Sequence, residues 1–196
     1  MTSVRAVAVL PPHRKWTPVR LVPFAANHRP VVTALAADPM VRRFSRIPDP
    51  PPTDLAAQWL ARYEDGRRHG TRAAFAILAG GAVAGMALAP RIDQEARTAE
   101  LGYMILRKAR GHGIASSALR LLSDWAFTEC GLVRLELRIN VENQPSKRVA
   151  SKCAYRMEGV LRSVHQKQEV RIDCEIWSRL VTDRAPRDER TGRQSG

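Results

Sequence analysis

The chain has 196 residues, 44% of them apolar, and carries 32 Lys and Arg against 19 Asp and Glu, a formal net charge of +13. That length and apolar share suit a single domain whose core needs no external staples. Cys130, Cys153 and Cys174 are odd in number, far apart and without CxxC or His-rich surroundings, so reduced, buried thiols and no metal are expected. No apolar run approaches the roughly 18 residues that span a bilayer, and residues 7–10 run straight into Pro11-Pro12, too short a run for a secretory core. A soluble cytoplasmic protein without a membrane partner, monomer or homodimer, is the expectation.

Such a charge makes nucleic acid the first partner to weigh. The acid-free basic stretches are residues 5–20 and the group Arg107, Lys108, Arg110 and Arg120. The second coincides with a glycine turn, which points to a small polyanion for part of the excess. Neither a helix-turn-helix nor an aromatic RNA-binding strand pattern accompanies the charge.

Residues 1–15 and 183–196 carry Pro, Arg and Gly without an apolar period, and read as loose extensions of a domain at 16–182. Residues 19–24 read as a first strand and 26–35 as a helix that stops ahead of Asp38-Pro39, followed by a proline-rich linker at 48–52. Thr53 can cap a second helix with Leu55, Trp59, Leu60 and Tyr63 on one face, ending within 66–70. The β-type runs 74–78 and 83–88 flank Gly80-Gly81 and form a predicted hairpin. Residues 99–106 make another apolar run. From Ile114 the period turns helical, with Ile114, Ala118, Leu121, Leu122 and Trp125 on one face and Ser117, Arg120 and Asp124 opposite, until Gly131. Leu135, Leu137 and Ile139 then alternate with Glu136, Arg138 and Asn140, a half-buried strand. A short helix runs from Asn143-Gln144-Pro145 to Cys153, and β-type runs at 157–164 and 170–181 close the chain around a loop at 163–169. The order β-α-α-β-β-β-α-β-α-β-β defines an α+β single domain without internal repeats.

The segment Arg110-Gly111-His112-Gly113-Ile114-Ala115 joins a strand to a helix N-terminus. Free backbone N–H groups converge at such a turn, the helix dipole favours negative charge, and Gly111 and Gly113 have no Cβ to hold a phosphate away. A P-loop would need Lys-Ser or Lys-Thr after its last glycine, where Ile114-Ala115 stands. A dinucleotide fingerprint would need a third glycine at Ser116 and a βαβ unit near the domain start.

The turn meets the pattern [Gln/Arg]-x-x-Gly-x-[Gly/Ala], which resembles that of the GNAT acetyltransferases. Glu100-Leu101-Gly102-Tyr103 upstream and the segment from Ile139-Asn140 through Asn143, Ser146 and Ala150 resemble the branch that acetylates ribosomal-protein N-termini, the RimJ and RimL type. So do Glu158-Gly159-Val160-Leu161-Arg162 and Asp173-Cys174-Glu175-Ile176-Trp177-Ser178. The likeness spans roughly residues 19–181. It implies a mixed, mostly antiparallel sheet of about seven strands with a splayed pair and flanking helices, acetyl-CoA as acetyl donor, and a primary amine as acceptor. It also implies backbone contacts to pantetheine from Met104, Ile105 and Leu106. The pyrophosphate would be surrounded by Arg107, Arg110, Gly111, His112, Gly113, Ile114 and Ala115, with Asn143 and Ser146 beside the cofactor.

Direct transfer from a thioester to an amine needs a neutral amine and a proton for the departing thiolate. It needs no covalent nucleophile, and no cysteine here belongs to a recognisable Cys-His arrangement. Where many GNAT enzymes have a tyrosine acid this chain has Ala150, so Ser146 becomes the candidate acid. Glu100 and His165 are the candidate bases, with Glu100 favoured and His165 assigned to the substrate side. Ala154 stands where the family has glycine at the end of this helix, so the turn is expected to differ locally. Reaching the neutral amine at pH 7 costs about 1 kcal/mol for an α-amino group and about 4.6 kcal/mol for a lysine. That favours a protein N-terminus, with ribosome association in keeping with the basic charge. A small amine acceptor, a catalytically silent acyl-CoA binder and a nucleic-acid-binding protein are the alternatives.

Overall fold

The computed structural model describes residues 18–183, so the expectations for residues 1–15 and for the tail beyond 183 lie outside the described residues. Seven strands form one sheet in the order β1-β2-β3-β4-β5-β7-β6. They are β1 (Val19–Pro23), β2 (Ala73–Ala79), β3 (Ala82–Asp93), β4 (Thr98–Ile105), β5 (Arg134–Asn140), β6 (Arg156–Lys167) and β7 (Val170–Leu180). Every pair is antiparallel except β4 with β5. The helices are α1 (Arg29–Ala37), α2 (Pro39–Phe44), α3 (Leu55–Arg68), α4 (Ile114–Thr128) and α5 (Gln144–Lys152). The mixed, mostly antiparallel α+β domain expected from the sequence is the observed fold. Among the described residues, no helix is long and apolar enough to cross a membrane.

The core lies in two clusters. One gathers the apolar face of α4, where Ile114, Ala118, Leu121, Leu122 and Trp125 are all buried, and Trp125 meets Phe75 edge-to-face at 5.0 Å. The other holds Val32 and Leu35 of α1, Leu55 and Tyr63 of α3, and Ile47 between them, against Met86 and Leu88 of β3. Each large side chain so placed contributes about 1.5–3 kcal/mol of burial. The two clusters clamp the centre of the sheet, where β3 and β4 carry the site.

Several local expectations are corrected. The first helix does stop ahead of Pro39, at Ala37, but Pro39 then opens a further short helix, α2, because proline fits the first helical turn and the Asp38 carboxylate accepts a hydrogen bond from Met40 N at 2.9 Å. Thr53 does not cap α3: Asp54 precedes it without a side-chain capping bond, and its carboxylate accepts from Gln58 Nε2 at 2.8 Å. Strand β3 runs past Leu88 to Asp93, with Pro90 falling inside the register shift between Leu88 and Arg91, where a missing donor is tolerated. Strand β6 continues to Lys167, so most of the expected loop at 163–169, including His165, is strand. Its alternation is blurred because β6 is an edge strand whose register shifts between Leu161 and His165.

Ala154, after α5, does adopt a left-handed backbone with φ 63°. A Cβ there is strained by roughly 1–2 kcal/mol, partly offset by the extra unfolded-state freedom of glycine. Ala154→Gly is therefore expected to stabilise the fold by about 1 kcal/mol, read as a higher urea midpoint at unchanged slope.

At the far side of the sheet Arg134 forks the Glu158 carboxylate at 2.9 and 2.6 Å, and Ser178 Oγ donates to it at 2.5 Å. The Arg134 and Ser178 hydrogen bonds push the Glu158 pKa down to about 2. A depressed carboxylate stabilises the fold fully above its ordinary value of 4.5 and loses that contribution as pH falls towards 2. The melting temperature is accordingly expected to drop more steeply across that window in the native protein than in Glu158→Gln.

Candidate active site

β4 and β5 run parallel and pair only where Thr98, Ala99 and Glu100 face Arg134, Leu135 and Glu136. Beyond Glu100, β4 stays with β3 as far as Ile105, and β5 stays with β7 as far as Asn140. The two strands therefore diverge into a fork with Glu100 at its base. Backbone polar groups alternate sides along a strand. Leu106 N donates to Ala84 O at 2.9 Å, and a Cβ built on Gly85 would lie 2.1 Å from Met104 O, so the even-numbered residues address β3. Tyr103 and Ile105 then turn their N–H and C=O groups to the fork. The edge expected at Met104, Ile105 and Leu106 is thus displaced by one residue: Ile105 is shared, Tyr103 joins it, and Leu106 is engaged on both groups, its C=O accepting from Ala109 N at 2.8 Å. Met104 instead lends its side chain to the cleft wall.

The fork leads to the glycine turn. From Glu100 to Ile105 the strand rises about 17 Å, after which Gly111 (φ 81°) and Gly113 (φ 72°) take left-handed conformations ahead of α4. No side chain caps α4, and Ser117 N is the first donor returned to the turn, to Gly113 O at 3.1 Å. A Cβ at Gly111 would meet no atom within 4 Å, so glycine serves no packing need there and leaves open space beside the N-terminal N–H groups of α4. Arg107 and His112 are exposed beside it, whereas the Ile114 side chain is buried and only its backbone faces the turn. Gly113 and Ala115 are half-buried. Arg110 does not project freely: its Nη2 donates to Asp38 Oδ2 at 2.6 Å and its Nε to Ile105 O at 3.1 Å. It braces the turn against the α1–α2 junction. Burial works to raise the Asp38 pKa, but the bonds from Met40 N and Arg110 outweigh it and hold the carboxyl below its ordinary value.

On the other arm of the fork, Asn143 caps α5 by accepting from Ser146 N at 3.2 Å through Oδ1, which leaves its NH2 as a donor. Ser146 Oγ lies 3.0 Å from Tyr103 Oη, bridging the gap between α5 and β4. Burial pushes the Tyr103 phenol up to about 12, so it holds its proton at any working pH. Sequence reasoning did not assign Tyr103 a role. Its ring reaches Ser146 only because the strands part.

A cleft of about 680 Å³ opens along this fork, bounded by Tyr103, Ser146, Glu100 and His165 together with Arg46 and Trp59. At its floor Glu100, only 8% exposed, receives the Arg46 guanidinium, with Arg138 Nε at 3.8 Å and Arg91 Nη2 at 4.0 Å. The same Arg46 Nη2 lies 3.4 Å from His165 Nε2. Burial first, then the Arg46 charge, lowers the His165 pKa below 6.5, so its imidazole is neutral at pH 7. Lys167 Nζ donates to Arg42 O and, at 3.4 Å, to Ser45 O, while Gln168 Nε2 donates to Asp49 O at 3.2 Å. These bonds stitch the β6–β7 hairpin to the loop after α2, which is what brings His165 and Arg46 together. Cys174 borders the cleft as a buried thiol whose pKa burial raises, and Cys130 and Cys153 are pushed up to about 11, so no thiolate stands ready.

A mixed sheet split between two parallel strands, with a two-glycine turn where the fork meets a helix N-terminus, defines the GNAT class of fold. The chain belongs to the GNAT acetyltransferase family, whose domain model, "Acetyltransferase (GNAT) domain", matches residues 19–156. It is similar to the uncharacterized N-acetyltransferase p20 of Bacillus licheniformis, 36% identical over 94 residues, which are 48% of this chain and 53% of that protein. It is also similar to the ribosomal-protein-serine acetyltransferase of Escherichia coli strain K12, 29% identical over 91 residues, 46% of this chain and 51% of that one. The chain thus spans about half the length of the curated relatives it matches. Among solved structures it resembles Mycobacterium smegmatis RimJ in complex with CoA-disulfide, with a TM-score of 0.78, 21% identity, and coverage of 90% of this chain and 86% of that one. This last likeness is one of fold.

Proposed function

We propose that this chain transfers an acetyl group from acetyl-CoA directly to a primary amine. The observation that carries the reading is the fork between β4 and β5, whose β4 arm leads on to the Gly111–Gly113 turn, since it sets unpaired strand backbone between a cluster of proton-moving side chains and a helix N-terminus suited to an anion. Acetyl-CoA supplies the acyl group as a thioester. The N–H groups of Gly111, His112, Gly113, Ile114 and Ala115 would hold its phosphates, with Arg107 beside them and Arg110 fixing the turn. The N–H and C=O of Tyr103 and the N–H of Ile105 would orient the pantetheine arm, assisted by the Asn143 NH2, the Ile105 C=O being taken by Arg110.

His165 is the better-placed proton acceptor at the attacking amine nitrogen, because its ring is neutral at pH 7 and meets a single guanidinium, Arg46, at a long 3.4 Å, whereas the Glu100 carboxylate is held by three. Glu100 in this reading anchors Arg46 and sets the field of the cleft. Ser146, backed by the Tyr103 phenol, would deliver a proton at the departing sulfur as the new C–N bond replaces the C–S bond. Tyr103→Phe is expected to lower kcat about tenfold and Ser146→Ala about a hundredfold, with KM for acetyl-CoA changed less than threefold in both, by steady-state kinetics.

We place the acceptor among α-amino groups, protein N-termini on the ribosome included. The support is the lower cost of neutralising such an amine, the +13 charge and the name of the E. coli relative. Thiol release from acetyl-CoA with panels of peptides, aminoglycosides and polyamines tests the reading. Release that rises with an amine supports it, and CoA binding with no amine turned over would sink it.

A further inference from the structure

Resting on the acetyltransferase reading, the charge balance of the cleft floor speaks to the acceptor. Three guanidinium groups, those of Arg46, Arg91 and Arg138, converge within 4.0 Å of one buried carboxylate, Glu100. One negative charge leaves an excess of positive charge there, and Arg138, with only 21% of its side chain exposed, sits largely out of water, where an unbalanced charge is unfavourable. The buried Arg138 Nε has no hydrogen-bond partner among the described residues, so a donor at the floor is left over. Arg62 adds a further cation to the same cleft wall, and the additional acid there, Asp49, lies 3.6 Å from Arg42. The Arg46 side chain is 52% exposed although its Nη2 touches Glu100 and lies 3.4 Å from His165 Nε2. These groups surround the base of the fork, about 17 Å along the strand from the end of β4 that leads to the turn that would take the phosphates. Their excess charge is therefore not explained by the cofactor.

We infer that the acceptor is an amine with a carboxylate a few bonds away. The carboxylate would be taken by Arg46 and Arg138 while the nitrogen is presented to His165. The spacing suits this arrangement: with 3.4 Å between Arg46 Nη2 and His165 Nε2, one small molecule or one terminal residue can meet both groups. A guanidinium grips a carboxylate with two parallel charge-assisted bonds, which fixes the amine as well as binding it. Free α-amino acids and chains that begin with Asp or Glu both present this chemistry. Polyamines, purely cationic, do not.

The experiment measures kcat/KM with acetyl-CoA for free glutamate and serine, for peptides beginning with Asp or Glu, for matched peptides beginning with Ala or Ser, and for spermidine. Carboxylate-bearing amines are expected to exceed the neutral peptides and spermidine by about tenfold or more. Whether the free amino acids or the acidic peptides lead identifies the source. In Arg46→Gln that preference is expected to fall to near parity. Equal or better use of neutral peptides or spermidine by the native protein would overturn the inference while leaving the acetyltransferase reading intact. So would an Arg46→Gln variant that slows every acceptor by the same factor. Thiol release with no amine at all would overturn both readings together.

Discussion

Gly111→Val is expected to weaken acetyl-CoA binding at least about a hundredfold, while the protein still folds. Two effects act in the same direction. At φ 81° a β-branched residue is strained by about 1–2 kcal/mol, and the turn would relax away from its anion-holding shape. The space a Cβ would enter holds no protein atom, so the added side chain would compete with a ligand, not with the core. Losing two charge-assisted backbone bonds to phosphate at about 1.5–3 kcal/mol each gives the hundredfold or more. The strain alone lowers the melting temperature by no more than about 8 °C. Calorimetric titration with CoA, beside a thermal melt, separates the two. A variant that melts normally and binds as the native protein does would show that the turn is only a strand-to-helix connection.

His165→Ala is expected to lower kcat/KM for the acceptor by about 100-fold or more, with CoA affinity unchanged. The pH profile carries the sharper statement. Burial and the Arg46 and Arg138 charges lower the His165 pKa, the Glu100 charge opposes them, and the net position is below 6.5. A base must be unprotonated to act, so the native kcat/KM, already declining as the amine is protonated, should gain a further acid limb below pH 6.5. That acid limb should vanish in His165→Ala and persist in Glu100→Gln. The opposite pattern would restore Glu100 to the role that the sequence alone favoured for it.

Those roles divide according to how far along the chain each one has to be read. The glycine turn and α4 were legible because their signals are local: two left-handed positions, then a 3.6-residue period whose five apolar members are all buried. The same holds for β5, whose alternation survives because one of its faces is covered. Arg110 illustrates the limit. Its residue type matched a phosphate-binding pattern, yet its guanidinium bonds to Asp38, 72 residues earlier, and no period or spacing carries that information. Arg46 and Tyr103 were missed for the same reason. Arg46 becomes a cleft residue only when the β6–β7 hairpin is tied to the loop after α2, and Tyr103 meets Ser146 only across the fork. His165 sat in an expected loop because an edge strand with a shifted register loses its alternation. The glycine turn and the helix behind it were therefore readable from short segments, and the cluster around Glu100, assembled from the loop after α2, β4, β5 and β6, was not.

The most direct test of the central claim is a titration of the purified chain with CoA and acetyl-CoA, followed by addition of amine acceptors. Saturable binding that Gly111→Val abolishes, and thiol release that begins only when an amine is added, are the expected results. An absence of any binding at millimolar CoA would contradict the account.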